Sequence, residues 1–203
     1  MPASHDPRTV GRAPGGVAGG RGARERILAA ARELFYRQGI NVTGVTELCA
    51  VARVSKRTLY QHFAGKDEVV AAYVGDLAAD PAYAPHAVLT RGDLAPRARL
   101  LELYGTLADG RRPLRGCPFV NAGIELADPA HPARLIAAAY KAEFADRLSA
   151  LAREAGARGS ERVGRRLALL YDGAAAQVAL TDRPEPATEA QAFAAALLQA
   201  AAD

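Results

Sequence analysis

The chain has 203 residues, half of them apolar, and 26 Lys/Arg against 22 Asp/Glu give a net charge of +4. That length allows one or two domains with a real core, and abundant alanine with few β-branched runs favours helix over sheet. No apolar run approaches the roughly 20 residues needed to cross a bilayer, and no apolar signal core opens the sequence. Two distant cysteines, Cys49 and Cys117, give no disulfide framework, so a cytoplasmic protein without membrane association is expected.

The charge is uneven. Residues 1–66 hold eleven Lys/Arg against four Asp/Glu, about +7, while the remainder is mildly acidic. A small basic module for a polyanion joined to a larger module of other purpose fits this split, as does a solvated charged face. Residues 1–21, rich in Gly and Pro with almost no bulky apolar side chains, are expected to be disordered. Arg8, Arg12 and Arg21 within them either touch a polyanion or idle.

A helix is expected from about 22 to 38, with Ile27, Leu28, Ala31, Leu34 and Phe35 as its buried stripe and Gly39 as its stop. A short second helix runs from Thr43 or Gly44 to Ala52, with Val45, Leu48, Cys49 and Ala52 inward. Ser55 caps a third through His62, and a fourth begins near Lys66. Residues 80–95 read as a loop. Further helices are expected over 96–110, 119–126, 133–154, 160–180 and 187–201, with Ser160 as the cap of the penultimate one. The long 133–154 helix carries Leu135, Ile136, Ala139, Tyr140, Phe144, Leu148 and Leu151 at apolar spacing. No alternating strand pattern persists, so an all-α fold of about nine helices is expected.

The second and third helices, joined by a tight turn, form a helix-turn-helix. Leu59 and Phe63 lie four apart and anchor the third helix inward, while Val54 fills the turn. Lys56, Arg57, Tyr60 and Gln61 then project where base edges or phosphates of double-stranded DNA are within reach. Lys66, at the start of the fourth helix, is placed to hold a phosphate together with backbone N–H groups.

The stretch "RERILAAARELFYRQGINVTGVTELCAVARVSKRTLYQHFAGKDEVV", residues 24–70, resembles the TetR/AcrR family of bacterial transcriptional regulators. The resemblance implies a helix-turn-helix domain over 22–66 and a helical ligand-binding and dimerisation domain over 67–203. It further implies a homodimer reading a pseudo-palindromic operator, a small-molecule effector, and repression. Positions matching Thr43, Ser55, Thr58, Tyr60, His62 and Lys66 commonly contact DNA in such proteins, and Lys56 and Arg57 are candidates for base readout. His62 has the alternative of closing its helix or packing on Tyr36. Two departures stand out. Arg53 replaces a turn glycine, at a cost of roughly 1 kcal/mol if left-handed, and offers a phosphate contact. Gly44 replaces a capping hydroxyl that Thr43 is expected to supply.

By the same resemblance the last two helices pair with their twofold mates. Leu167, Leu170, Phe193 and Leu197 would supply area there, and Ala174 and Ala175 close approach. An effector pocket among 96–180 is expected to involve Leu103, Tyr104, Leu107, Cys117, Phe119, Phe144 and Tyr171. Cys117 opens a helix, where a thiol pKa can fall, so a redox sensor is conceivable. Cys117, His131 and Asp128 have the residue types of a cysteine hydrolase, but no nucleophile elbow accompanies them. Histidine and cysteine spacings match no metal motif, and neither a nucleotide loop nor a cofactor is expected.

Overall fold

The computed structural model describes residues 21–108 and 115–202. Of the tail expected to be disordered, residues 1–20, with Arg8 and Arg12, lie outside the described residues, whereas Arg21 is the first residue of a helix because the apolar stripe beyond it carries the helix back that far. Ten helices follow in order: α1 (Arg21–Arg37), α2 (Val45–Ala52), α3 (Lys56–His62), α4 (Lys66–Ala79), α5 (Ala84–Leu89), α6 (Pro96–Ala108), α7 (Pro118–Glu125), α8 (Pro132–Glu154), α9 (Ser160–Thr181) and α10 (Glu185–Ala202). Among the described residues there is no strand, and no helix is long and apolar enough to cross a membrane.

All nine expected helices are present. The tenth, α5, lies inside the segment read as a loop. Pro85 sits in its first turn, where a missing N–H costs nothing. Asp80 prepares the entry: its Oδ1 accepts from the Ala82 N–H at 2.9 Å and its carbonyl bonds the His86 Nδ1 at 2.9 Å. Prolines also occupy the first turns of α7 and α8. His131 caps α8 by accepting the Ala133 N–H on Nδ1 at 3.1 Å. Ser160 does not cap α9; Gly159 does, in a left-handed conformation, and Ser160 is the first helical residue.

The basic quarter is a three-helix unit. Ile27, Ala31, Leu34 and Phe35 of α1 meet Leu48, Cys49 and Ala52 of α2 and Leu59 of α3, all buried, and Phe63 closes the core just beyond α3. Burying Leu59 and Phe63 stabilises the position of α3 by roughly 1.5–3 kcal/mol each. The Arg26 Nε–H donates to the Ala52 carbonyl at 3.1 Å, and the Arg24 guanidinium sits 5.5 Å from the Phe63 ring centre.

The remaining helices share one continuous core with this unit through α4, which packs on α1 on one side and on α7 and α8 on the other. α8 lies against α9, and α10 covers α9 and α6. The buried line of α8 is Ala137, Tyr140, Phe144, Leu148 and Leu151. Leu135 and Ala139, expected on this line, are exposed instead, because the neighbouring helices cover one side of α8 and these two residues sit off it.

Candidate nucleic-acid interface

The interface is built from the turn outward. Arg53 ends α2 at φ 53°, ψ 50°, so the residue standing where the family has a turn glycine is left-handed, and its N–H donates to the Ala50 carbonyl. The Val54 N–H donates to Cys49 O at 3.0 Å, which fixes the exit angle of the chain. Ser55 then caps α3: its Oγ accepts the Thr58 N–H at 3.0 Å, and the two hydroxyls are 2.8 Å apart. With Leu59 and Phe63 inward, Lys56, Arg57, Tyr60 and Gln61 are exposed on the opposite side, Tyr60 by 54%. Arg53 is exposed beside them. His62 is half-buried at the last turn. Lys66 opens α4, also half-buried, with its ammonium 3.5 Å from the Asn41 carbonyl.

Thr43 is the correction. It is 0% exposed, so its side chain lies on no docking surface. Its hydroxyl donates to the Gly39 carbonyl at 2.7 Å and accepts from the Gln38 Nε2 at 3.2 Å. Gln38 also donates to Glu47 at 2.7 Å. Thr43 thus fastens the α1–α2 turn from inside. Nor does it cap α2, where Gly44 holds the N-cap position without a side-chain bond.

Behind this face lies a cavity of about 620 Å³, bordered by α1, α4, α5, α6, α7 and α9. Of the residues expected around an effector, Leu107, Cys117 and Tyr171 line it. Leu103, Tyr104, Phe119 and Phe144 do not; they are plain core, and the Tyr104 hydroxyl is used up donating to Leu167 O at 2.9 Å. Sequence reasoning missed Arg32, Tyr36, Tyr73, Asp80, Tyr83 and Thr106. For the three tyrosines the signal was the hydroxyl, which a purely apolar core position does not call for; Arg32 and Asp80 gave no local signal. Cys117 opens α7, yet burial pushes its thiol up, opposite to the lowered value a sensor needs. Among the described residues no group of His, Cys, Asp and Glu has the arrangement of a metal site.

The cavity touches the reading unit directly. Tyr36 of α1 accepts the Arg115 N–H at 3.0 Å and donates to Gly116 O at 3.3 Å. On the adjoining α1–α2 turn, the Asn41 N–H donates to Glu125 Oε2 at 3.0 Å and its amide to Glu125 O at 2.8 Å.

The outer helices carry the dimerisation candidates, and here the structure divides them. Leu167, Ala174 and Ala175 are buried within the chain, because α8 and α10 already cover that side of α9. Leu170 and Leu197 are half-buried against the core. Phe193 is 65% exposed, and beside it in kind are two residues the sequence reading passed over, Leu169 at 74% and Leu180 at 80%. Leu169, Gly173, Ala176 and Leu180 form one uncovered stripe along α9.

A left-handed turn, a capped cationic helix facing out and a helical body around a cavity define a helix-turn-helix protein whose body encloses a compartment bordered by α1. The model of the bacterial regulatory proteins of the tetR family matches residues 27–73. A TetR-type transcriptional regulator from Streptomyces avermitilis is 35% identical, covering 88% of this chain and 97% of that one, with a TM-score of 0.77. A TetR-family transcriptional regulator from Streptomyces coelicolor is 32% identical, covering 91% and 98%, with a TM-score of 0.81. The regulatory protein TetR from Rhodobacter sphaeroides, at 24% identity over 86% and 98% and a TM-score of 0.77, shares the fold. No curated protein matches the sequence. The chain belongs to the TetR family of bacterial transcriptional regulators, and is a DNA-binding regulator rather than an enzyme.

Proposed function

We propose that the protein is an effector-responsive repressor that binds a pseudo-palindromic operator in the cytoplasm as a homodimer. The observation that carries this reading is the outward face of α3, where Lys56, Arg57, Tyr60 and Gln61 are exposed on a helix anchored by Leu59. Arg57 and Lys56 read base edges in the major groove; Arg53, Tyr60, His62 and Lys66 hold phosphates, with the Ser55 and Thr58 hydroxyls at the positive end of the helix. Reading two half-sites requires two such helices about 34–36 Å apart, one turn of DNA, and hence a fixed partner. The uncovered stripe of α9, with Phe193 of α10, is the face that a second copy would bury, and Leu170 and Leu197 flank it.

Effector control follows from two states. A ligand in the cavity releases DNA only to the extent that it binds the released arrangement more tightly than the DNA-bound one. Selection from a random pool of DNA fragments at two salt concentrations tests the reading. Recovery of one palindrome with half-sites a helical turn apart supports it. Retention of all fragments alike, with only a steep salt slope, would replace it with nonspecific binding.

A further inference from the structure

The cavity border is unbalanced in its hydrogen bonding. Its carboxylate, Asp80, already holds a donor on each oxygen: Oδ1 accepts from the Ala82 N–H at 2.9 Å, and Oδ2 accepts from the Arg32 guanidinium at 2.9 Å. Donors, by contrast, are in surplus. A guanidinium carries five N–H groups, and Arg32 uses one of them, on Asp80, among the described residues. Tyr73 and Tyr83 line the cavity, and their hydroxyls, unlike the Tyr83 backbone, make no hydrogen bond among the described residues. Burial raises both phenols, so they stay neutral and able to donate at neutral pH. The walls are aromatic: Tyr83 already makes an edge contact with Phe119 at 5.7 Å, and Tyr171 lies 5.5 Å from Phe144. A volume of about 620 Å³ falls within the roughly 300–1,000 Å³ of small-molecule sites.

Such a site wants a flat molecule for its rings and a strong acceptor for its donors. A cation is less well served, because among the described lining residues Asp80 is the one carboxylate and each of its oxygens already holds a donor. We infer that the effector is an aromatic carboxylate whose oxygens take the Arg32 guanidinium over from Asp80 while Tyr73 and Tyr83 donate to its polar substituents. This deepens the effector reading above and rests on it for its regulatory part. The exchange has a direct structural consequence. Arg32 belongs to α1 of the reading unit and Asp80 follows the end of α4, so their ion pair ties the two together. A carboxylate that takes Arg32 unties them, and by reciprocity operator DNA weakens carboxylate binding by the same factor.

The test uses three probes with one ring system: anthracene carboxylate, anthracene methanol and anthracene methylamine. Each is titrated by fluorescence and calorimetry against the full-length protein without DNA. The carboxylate is expected to bind most tightly, by roughly tenfold over the other two, as one hydrogen-bonded charge pair supplies. Arg32→Gln should reduce the carboxylate to the level of the alcohol and leave the alcohol unchanged, and Asp80→Asn, which removes the competitor, should tighten the carboxylate. Tyr73→Phe, a milder change, should weaken it a few-fold. Tightest binding by the amine overturns the inference, as does absence of binding by all three at millimolar concentration. Equal loss of all three probes in Arg32→Gln also overturns it, since a merely structural arginine would behave so. Operator release is measured separately. Arg32-dependent binding without release leaves the site standing and sinks the effector reading; an unbound operator sinks the DNA reading while the probe titration still decides the site.

Discussion

Arg53 is the residue at which local strain and function meet. A non-glycine residue in the left-handed region costs roughly 1 kcal/mol, and at φ 53° nothing relieves that cost except the packed turn around it. Arg53→Gly should therefore raise unfolding stability by up to about 1 kcal/mol in chemical denaturation. The same change should weaken operator binding, because the exposed guanidinium is lost. Opposite signs in the two assays separate a phosphate contact from a structural role; equal signs would remove Arg53 from the interface. A second pair of substitutions separates reading from holding. Arg57→Ala should cost about 1–3 kcal/mol against the preferred base and relax choice at that position. Lys66→Ala should weaken all sequences alike and lower the salt slope by about one. Fluorescence anisotropy on operator and scrambled duplexes over a salt series reads both effects.

At the scale of elements, the packing of α8 against α9 depends on one absent side chain. A Cβ on Gly164 would collide with the Ser149 Oγ, N and Cα, the last at 2.6 Å. Two of those atoms are backbone, so no rotamer change relieves the clash. Gly164→Ala gains about 1 kcal/mol of helix propensity, yet the overpacking costs typically 1–3 kcal/mol and here moves a whole helix. Net destabilisation is expected, with a lowered thermal midpoint; a stabilised variant would mean that the two helices separate without cost. Ser149 donates to the Ala145 carbonyl at 2.8 Å, which holds it in the contact.

For the whole molecule, the uncovered apolar stripe predicts self-association. Leu169→Glu and Leu180→Glu each place a charge where the partner would bury a leucine, so either should shift the species seen by sedimentation toward monomer. Operator affinity should fall together with it, while the circular dichroism of the helices persists. A wild-type monomer at micromolar concentration would rule out the paired reading heads. The interior makes a separate prediction at high pH. Burial raises the phenols of Tyr73, Tyr83, Tyr104, Tyr140 and Tyr171 above the ordinary value of about 10. A raised folded-state value means that the neutral form is favoured by folding. The stability from these groups is therefore complete below about pH 10 and is lost as pH rises through the raised values. Phenolate absorbance from these five residues should appear together with loss of helix, not before it. Early phenolate signal in a folded protein would place them nearer water.

Much of this was legible in one dimension. Helix spacing, Gly39, Ser55 and the inward pair Leu59 and Phe63 act over a few residues, where backbone hydrogen bonds and side-chain period leave little freedom, so the all-helical class and the reading helix were legible in the chain, while the left-handed turn at Arg53 was only a condition until the structure resolved it. Thr43 misled because a threonine at a helix entrance reads as a cap, whereas Gln38 and Gly39 hold its hydroxyl inside. Distant segments decided the rest. Whether Leu167 or Leu169 faces a partner depends on which side α8 and α10 cover, and both positions look alike along the chain. The cavity joins Arg32 to Asp80 and Tyr36 to Gly116 across long stretches of sequence. Such pairings exist only once the helices pack, because no local periodicity encodes which unused side chains will meet around a void.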